Sequence, residues 1–231
     1  MIRAILFDKD GTLFDFAATW EAWAASFLLR ATAGDQTRAA EIGHHIGFDL
    51  PNRRFAPDSI VIAGTPGEVA DALMPHFPEA EYDAFLAMLN EEAEKAPQAE
   101  TVPLAPFLDD LRGRGLTLGV MTNDSEEVAH AHLGQSGVRD RFSFIAGFDS
   151  GFGAKPAPDP LLAFCRAVGV NPAHALMVGD STHDLIAGRR AGMRTVGVLT
   201  GMADTATLAP HADCVLPHIG HLTDWLDDAE R

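Results

Sequence analysis

The run Ala4-Ile5-Leu6-Phe7 is short, wholly apolar and stopped by an acid, Asp8. It has no polar alternation, so it reads as a strand buried on both faces, the kind found inside parallel sheets. Similar runs recur at 116–121, 144–146, 175–178, 195–199 and 214–216. Between and after them the pattern turns helical, over 106–114, 125–136, 160–168, 184–191 and 222–229. Strand–helix alternation of this kind predicts an α/β fold, a doubly wound parallel, Rossmann-like sheet. From about residue 16 to 95 the alternation stops, and 17–30, 36–45, 67–77 and 81–94 all read as helices. We therefore expect an α/β core formed by 1–14 and 104–231, with an inserted α-helical cap and its linkers at 15–103. The stretch 96–106, with Pro97, Pro103 and Pro106, suits a return linker.

With 231 residues, 47% of them hydrophobic, the chain can bury a sizeable core. Its formal net charge of −16 disfavours nucleic-acid binding, and Arg53–Arg54 and Arg189–Arg190 are isolated basic pairs, not a patch. An acidic chain that handles an anionic substrate needs local help, for which a divalent cation is suited. No apolar run reaches the length of a membrane span. The N-terminus lacks a secretory pattern, so a cytoplasmic location without a membrane partner is expected. Cys165 and Cys214 lie in no metal-type spacing and read as reduced thiols. Only Lys9, Lys95 and Lys155 are lysines among 17 basic residues, a hint that those kept serve as compact charges.

Four segments place polar residues where a strand is expected to end, and in an open α/β sheet such ends converge on the ligand site. The first, Asp8-Lys9-Asp10-Gly11-Thr12, pairs two carboxylates around a turn that Gly11 permits; a hard cation suits such oxygen ligands. An ordinary Asp-Gly turn is the plainer reading. In the second, Thr122-Asn123-Asp124, a hydroxyl and adjacent backbone N–H groups could hold an anion, unless Asn123 or Asp124 merely caps a helix. The third, Lys155-Pro156, follows a glycine-rich turn and could bridge a phosphoryl oxygen and a carboxylate, or be a solvated loop lysine. The fourth runs Gly179-Asp180-Ser181-Thr182-His183-Asp184, where Asp180 could complete a metal site and Asp184 orient Lys155 or a water. Its plainer reading is an acidic helix start favoured by the helix dipole.

In order and content these segments resemble the four motifs of the haloacid dehalogenase superfamily of phosphohydrolases, over residues 2–13 and 104–226. The resemblance implies a phosphoric monoester hydrolase with Asp8 as nucleophile and Mg²⁺ ligand. Asp10 resembles the general acid/base, with its carbonyl on the metal. Thr122, Asn123 and Lys155 resemble the phosphoryl binders, Lys155 also having a catalytic part. Asp180 resembles the third Mg²⁺ ligand, supported by Asp184. An insertion after the first motif is similar to the helical-cap subfamily that includes phosphoglycolate phosphatases, so a small phosphorylated metabolite is the expected substrate. A phosphomutase that keeps the same motifs, or a binding protein that kept the fold, are the alternatives.

Lys9 should point away from both acids if strand geometry continues, and then form a structural ion pair. Trp20 and Trp23, three apart on a helix, read as cap core. Arg53 and Arg54 lie beside Phe48, Pro51 and Phe55 in a loop that could clamp a substrate carboxylate or be solvated. His130 and His132 should face different ways on one helix, and His183 reads as an exposed loop imidazole, with flanking the site as the alternative.

Overall fold

The computed structural model describes residues 1–229; residues 230 and 231 of the expected core segment lie outside the described residues. Strand β1 (Ala4–Phe7) leads into helices α1 (Phe16–Ala31) and α2 (Gln36–Gly43), then a short hairpin, β2 (Phe48–Asp49) and β3 (Arg54–Phe55). Helices α3 (Pro66–Leu73) and α4 (Tyr82–Glu94) complete this stretch. The alternation then resumes as α5 (Leu104–Gly113), β4 (Thr117–Met121), α6 (Glu126–Gln135), β5 (Phe144–Ala146), α7 (Asp159–Val168) and β6 (Ala175–Gly179). It ends with α8 (Thr182–Ala191), β7 (Arg194–Val198), α9 (Thr205–Leu208), β8 (Cys214–Leu216) and α10 (Leu222–Ala229).

Six strands form one parallel sheet in the order β5-β4-β1-β6-β7-β8. From central β1 the chain builds outward through β4 and β5, then crosses back to β6. The carboxyl ends of β1, β4 and β6 therefore meet where the order reverses, which is where such sheets bind ligands. Strand β1 shows why its run had to be apolar throughout: Ile5 and Phe7 pack into the cluster on one face with Leu108, Leu133 and Leu222. Ala4 and Leu6 enter the other, against Leu161, Phe164 and Ala187. Successive strand residues alternate faces, and here helices cover both.

A third apolar cluster belongs almost wholly to α1–α4 and the hairpin. Trp23 stacks on Phe27 at 5.7 Å between ring centroids, and its indole donates to the Leu89 carbonyl at 3.0 Å. The chain leaves β1 and returns to α5 along paired backbones: Asp15 donates to Ala99 at 2.8 Å and Thr101 to Leu13 at 3.0 Å. Helix α5 begins at Leu104, earlier than periodicity suggested, because Glu100 accepts the Leu104 N–H and Pro106 fits a first turn that needs no donor. The hairpin was not expected. Its strands have two residues each, too short to show an alternating pattern, and its turn rests on Arg53 at φ 50° and Asp49 capping Asn52. The thiols of Cys165 and Cys214 are free.

Candidate active site

Each of the four sequence segments emerges at the carboxyl edge of the sheet. Asp8 follows β1, Thr122 follows β4, and Asp180 follows β6. Carboxylate oxygens of Asp8, Asp180 and Asp184 lie within 4.8 Å of one another, all three residues buried. The Lys155 ammonium enters this group, 2.6 Å from Asp8 Oδ1, 2.6 Å from Asp184 Oδ1 and 2.9 Å from the Met121 carbonyl. Asn123 fixes that lysine: its side chain accepts the Lys155 N–H at 2.9 Å and donates to the Lys155 carbonyl at 2.9 Å. The Lys155–Pro156 peptide is cis. Asp184, in the first turn of α8, reaches back to the Ser181 N–H at 3.0 Å and hydroxyl at 2.7 Å, which aims its other oxygen at Lys155. Asp180 sits between two glycines; a Cβ on Gly11, at φ 75°, or on Gly201 would collide with its carboxylate. Thr12 donates to it at 3.2 Å.

Burial pushes the Asp8 carboxyl up to about 7, Lys155 only partly opposing it, and lifts Asp180 well above the usual carboxylate range. Burial alone would lower Lys155, but Asp184 and Asp8 outweigh it and hold its ammonium more basic than usual. With all three ionised, the carboxylates against one ammonium would leave two negative charges uncompensated in a desolvated site. An all-oxygen donor set with that deficit fits a hard divalent cation. Asp184 has both oxygens engaged, which leaves Asp8 and Asp180 as the side chains free to ligate.

Asp10 lines the same cavity, but its carboxylate is turned to Lys9, 3.0 Å from Oδ1 and 2.8 Å from Oδ2. The expectation that Lys9 points away from both acids is corrected here. The strand ends at Phe7, and Leu13 and Phe14 both donate to the Lys9 carbonyl, so a turn replaces strand alternation. Lys9 is fully buried, also 3.2 Å from Asp124 and 2.8 Å from His132 Nδ1. Burial moves Asp124 up to about 6 and His132 down to about 4. Asp124 is thus an ion-pair partner, while Ser125 caps α6.

Thr122 accepts the Asp124 N–H at 3.1 Å, so its own hydroxyl hydrogen is free to donate. Asn123 is more committed. Its second amide hydrogen goes to the Ala63 carbonyl at 2.8 Å, leaving only its main chain for an anion. The opposite wall of the cavity is Phe16, Trp20 and the loop Val61-Ile62-Ala63-Gly64. Sequence reading overlooked that loop, although an apolar run closed by Gly and Thr-Pro inside a helical block is a visible interruption. Trp20 and Trp23 are buried in the helical cluster as expected. His183 is not an exposed loop residue: it is half-buried on the first turn of α8 and lines the cavity. Arg53 and Arg54 are exposed and do not line it.

A family model described as haloacid dehalogenase-like hydrolase matches residues 2–192. The chain is 33% identical over 229 residues to a phosphoglycolate phosphatase of Chromobacterium violaceum, covering 97% of this chain and 96% of the relative. It is 30% identical over 236 residues to an N-acetylmuramic acid 6-phosphate phosphatase of Pseudomonas putida, covering 99% and 97%. To a pyrophosphatase, PpaX, of Oceanobacillus iheyensis the identity is 27%, covering 99% and 98%. Among solved structures, a β-phosphoglucomutase of Clostridium difficile superposes with TM-score 0.70 at 19% identity, covering 99% of this chain and 96% of the other. At that identity the likeness is one of fold. Among the described residues no helix is long and apolar enough to cross a membrane.

Proposed function

The chain belongs to the haloacid dehalogenase-like hydrolases, and from that premise we propose a Mg²⁺-dependent phosphatase that works through an aspartyl-phosphate on Asp8. The observation that carries the reading is Lys155 Nζ, 2.6 Å from both Asp8 and Asp184 inside a buried acid cluster. That ammonium can hold a phosphoryl oxygen beside a carboxylate that would otherwise repel it.

Asp8 attacks phosphorus, the bond to the leaving oxygen breaks, and Asp10 gives that oxygen a proton. Asp10 then takes a proton from water, whose oxygen bonds to phosphorus as the Asp8–phosphorus bond breaks. The Thr122 hydroxyl donates to a phosphoryl oxygen throughout. Asp8, Asp180 and the Asp10 main-chain carbonyl would hold Mg²⁺, which when bound offsets the charge of phosphoryl and carboxylates and keeps Asp8 ionised. Residues 15–103 act as a cap over the site, and the loop Val61–Gly64, not Arg53 or Arg54, supplies its substrate-facing wall.

The substrate is a small phosphorylated metabolite of the cytoplasm. Phosphoglycolate is the first choice on the name of the Chromobacterium relative, and the other relatives' names add pyrophosphate and N-acetylmuramic acid 6-phosphate to the panel. Phosphate release from that panel, with Mg²⁺ and with chelator, tests the proposal. Turnover should require Mg²⁺ and disappear in Asp8→Asn, whose amide is a poor nucleophile. Full activity in chelator, or an active Asp8→Asn protein, contradicts it.

A further inference from the structure

Lys9 is a fully buried cation to which the steps above give no part. Burying an ammonium is costly unless it is paired and hydrogen-bonded, and here it has two hydrogen-bond partners and a second carboxylate in ion-pair range. Asp10 takes one through both carboxylate oxygens, at 3.0 and 2.8 Å. His132 Nδ1 takes another at 2.8 Å, and Asp124 lies at 3.2 Å. The face of Trp20, on α1, closes the site 5.5 Å from the ammonium.

The His132 contact has a direction. An ammonium only donates, so Nδ1 must accept, and the ring proton must sit on Nε2. Nε2 lies 2.7 Å from the Ala93 carbonyl and donates to it. Ala93 is in the last turn of α4, and its carbonyl accepts the His132 proton besides the Ala96 N–H at 3.0 Å. From the same face of α6, Gln135 donates to the neighbouring Glu94 carbonyl at 2.7 Å. Two residues of a core helix thus cap the end of a helix from the helical layer. One of them continues, through Lys9, to the carboxylate that lines the cavity.

We infer that Lys9 is a positioning residue for Asp10, and that His132 makes this setting depend on α4 being seated against α6. Two carboxylates, Asp10 and Asp124, share the one ammonium; without it they repel, and Asp10 loses the two-point hold that fixes its plane. Lys9 itself is fully buried and, unlike Asp10, does not line the cavity.

The inference rests on Asp10 being the acid and base of the proposed reaction, and the test separates the two. The measured quantity is kcat/KM for an aryl phosphate, whose leaving group needs no proton, divided by that for an alkyl phosphate, whose leaving group does. A misfolded fraction lowers both equally and cancels from the ratio. Asp10→Asn should raise it about a hundredfold, and Lys9→Met, which keeps the bulk and removes the charge, about tenfold, within the span of general acid catalysis. His132→Phe, which leaves Lys9 in place, should raise it roughly threefold, a fraction of that span. The double variant should exceed Lys9→Met by nothing, because both act on one chain of contacts. If Asp10→Asn leaves the ratio unchanged, the role of Asp10 fails and this inference with it. If Asp10→Asn raises it while Lys9→Met does not, only the inference about Lys9 is overturned. An unchanged ratio in His132→Phe overturns the link to α4. Should Lys9→Met not fold, His132→Phe decides the matter by the same ratio.

Discussion

Charge at single residues gives the site its clearest signature. Burial raises Asp8 from its usual 3.8 to about 7, and Asp124 to about 6, with Asp180 raised as well. Below pH 3.8 these groups are protonated in both the folded and unfolded chain, so their burial carries no penalty there. Between that value and about 7 the unfolded chain gives up protons that the folded one keeps, and stability from this cluster falls as pH rises. Carboxylates with the opposite shift are Asp49, Asp109 and Asp204, near the surface and screened, and Glu92, held down chiefly by the Ser26 hydroxyl with Arg30 and Lys95; these pairs lie outside the cluster and oppose its trend only in part. A cation must displace those retained protons, so Mg²⁺ should stabilise the protein far more near pH 8 than near pH 5. At a hundredfold excess over its dissociation constant the gain is about 2.7 kcal/mol. For a chain of this size that corresponds to roughly 5–10 °C in Tm. Thermal unfolding with and without Mg²⁺ at the two pH values checks it; equal shifts at both would mean the metal does not bind this cluster.

Elements hold those residues by close backbone approach, and glycines show where. The loop after β7 crosses the site, with Thr200 donating to the Gly11 carbonyl at 2.6 Å and Gly201 against Asp180. Gly201→Ala forces a methyl onto that carboxylate, an overpacking that typically costs about 1–3 kcal/mol. It should lower activity at limiting Mg²⁺ and raise the Mg²⁺ concentration needed for half-maximal rate. Gly134, exposed within α6, has open space around its Cβ position, and Gly134→Ala should instead add about 0.5–1 kcal/mol of stability with unchanged kinetics. If the two variants behave alike, the tight approach at Gly201 is not functional. The sheet was legible in sequence because strands buried on both faces, such as Ala4–Phe7, cannot hide their apolar runs. Asp8 and Asp180 were legible because each closes such a run, and Lys155 because a glycine-rich turn leads into Lys-Pro. Gly201 was not, since its meaning lies in a contact with Asp180 twenty-one positions earlier in the sequence. Lys9 was misdirected because a strand period was carried past the point where the strand stops.

Across the whole molecule, the helical layer and the sheet meet beside the candidate site. Asn123 joins Ala63 to Lys155, and His132 joins Ala93 to Lys9, so the layers meet through the same groups that set the lysines. Such an arrangement suits chemistry that must exclude bulk water while a reactive acyl phosphate exists. A covalent step on Asp8 leaves its trace in the configuration at phosphorus. A thiophosphate monoester made chiral at phosphorus with two oxygen isotopes and hydrolysed in water of the third should give inorganic thiophosphate with net retention, because attack by Asp8 and then by water inverts the centre twice. Net inversion would mean that water attacks the substrate directly and that Asp8 is not the nucleophile.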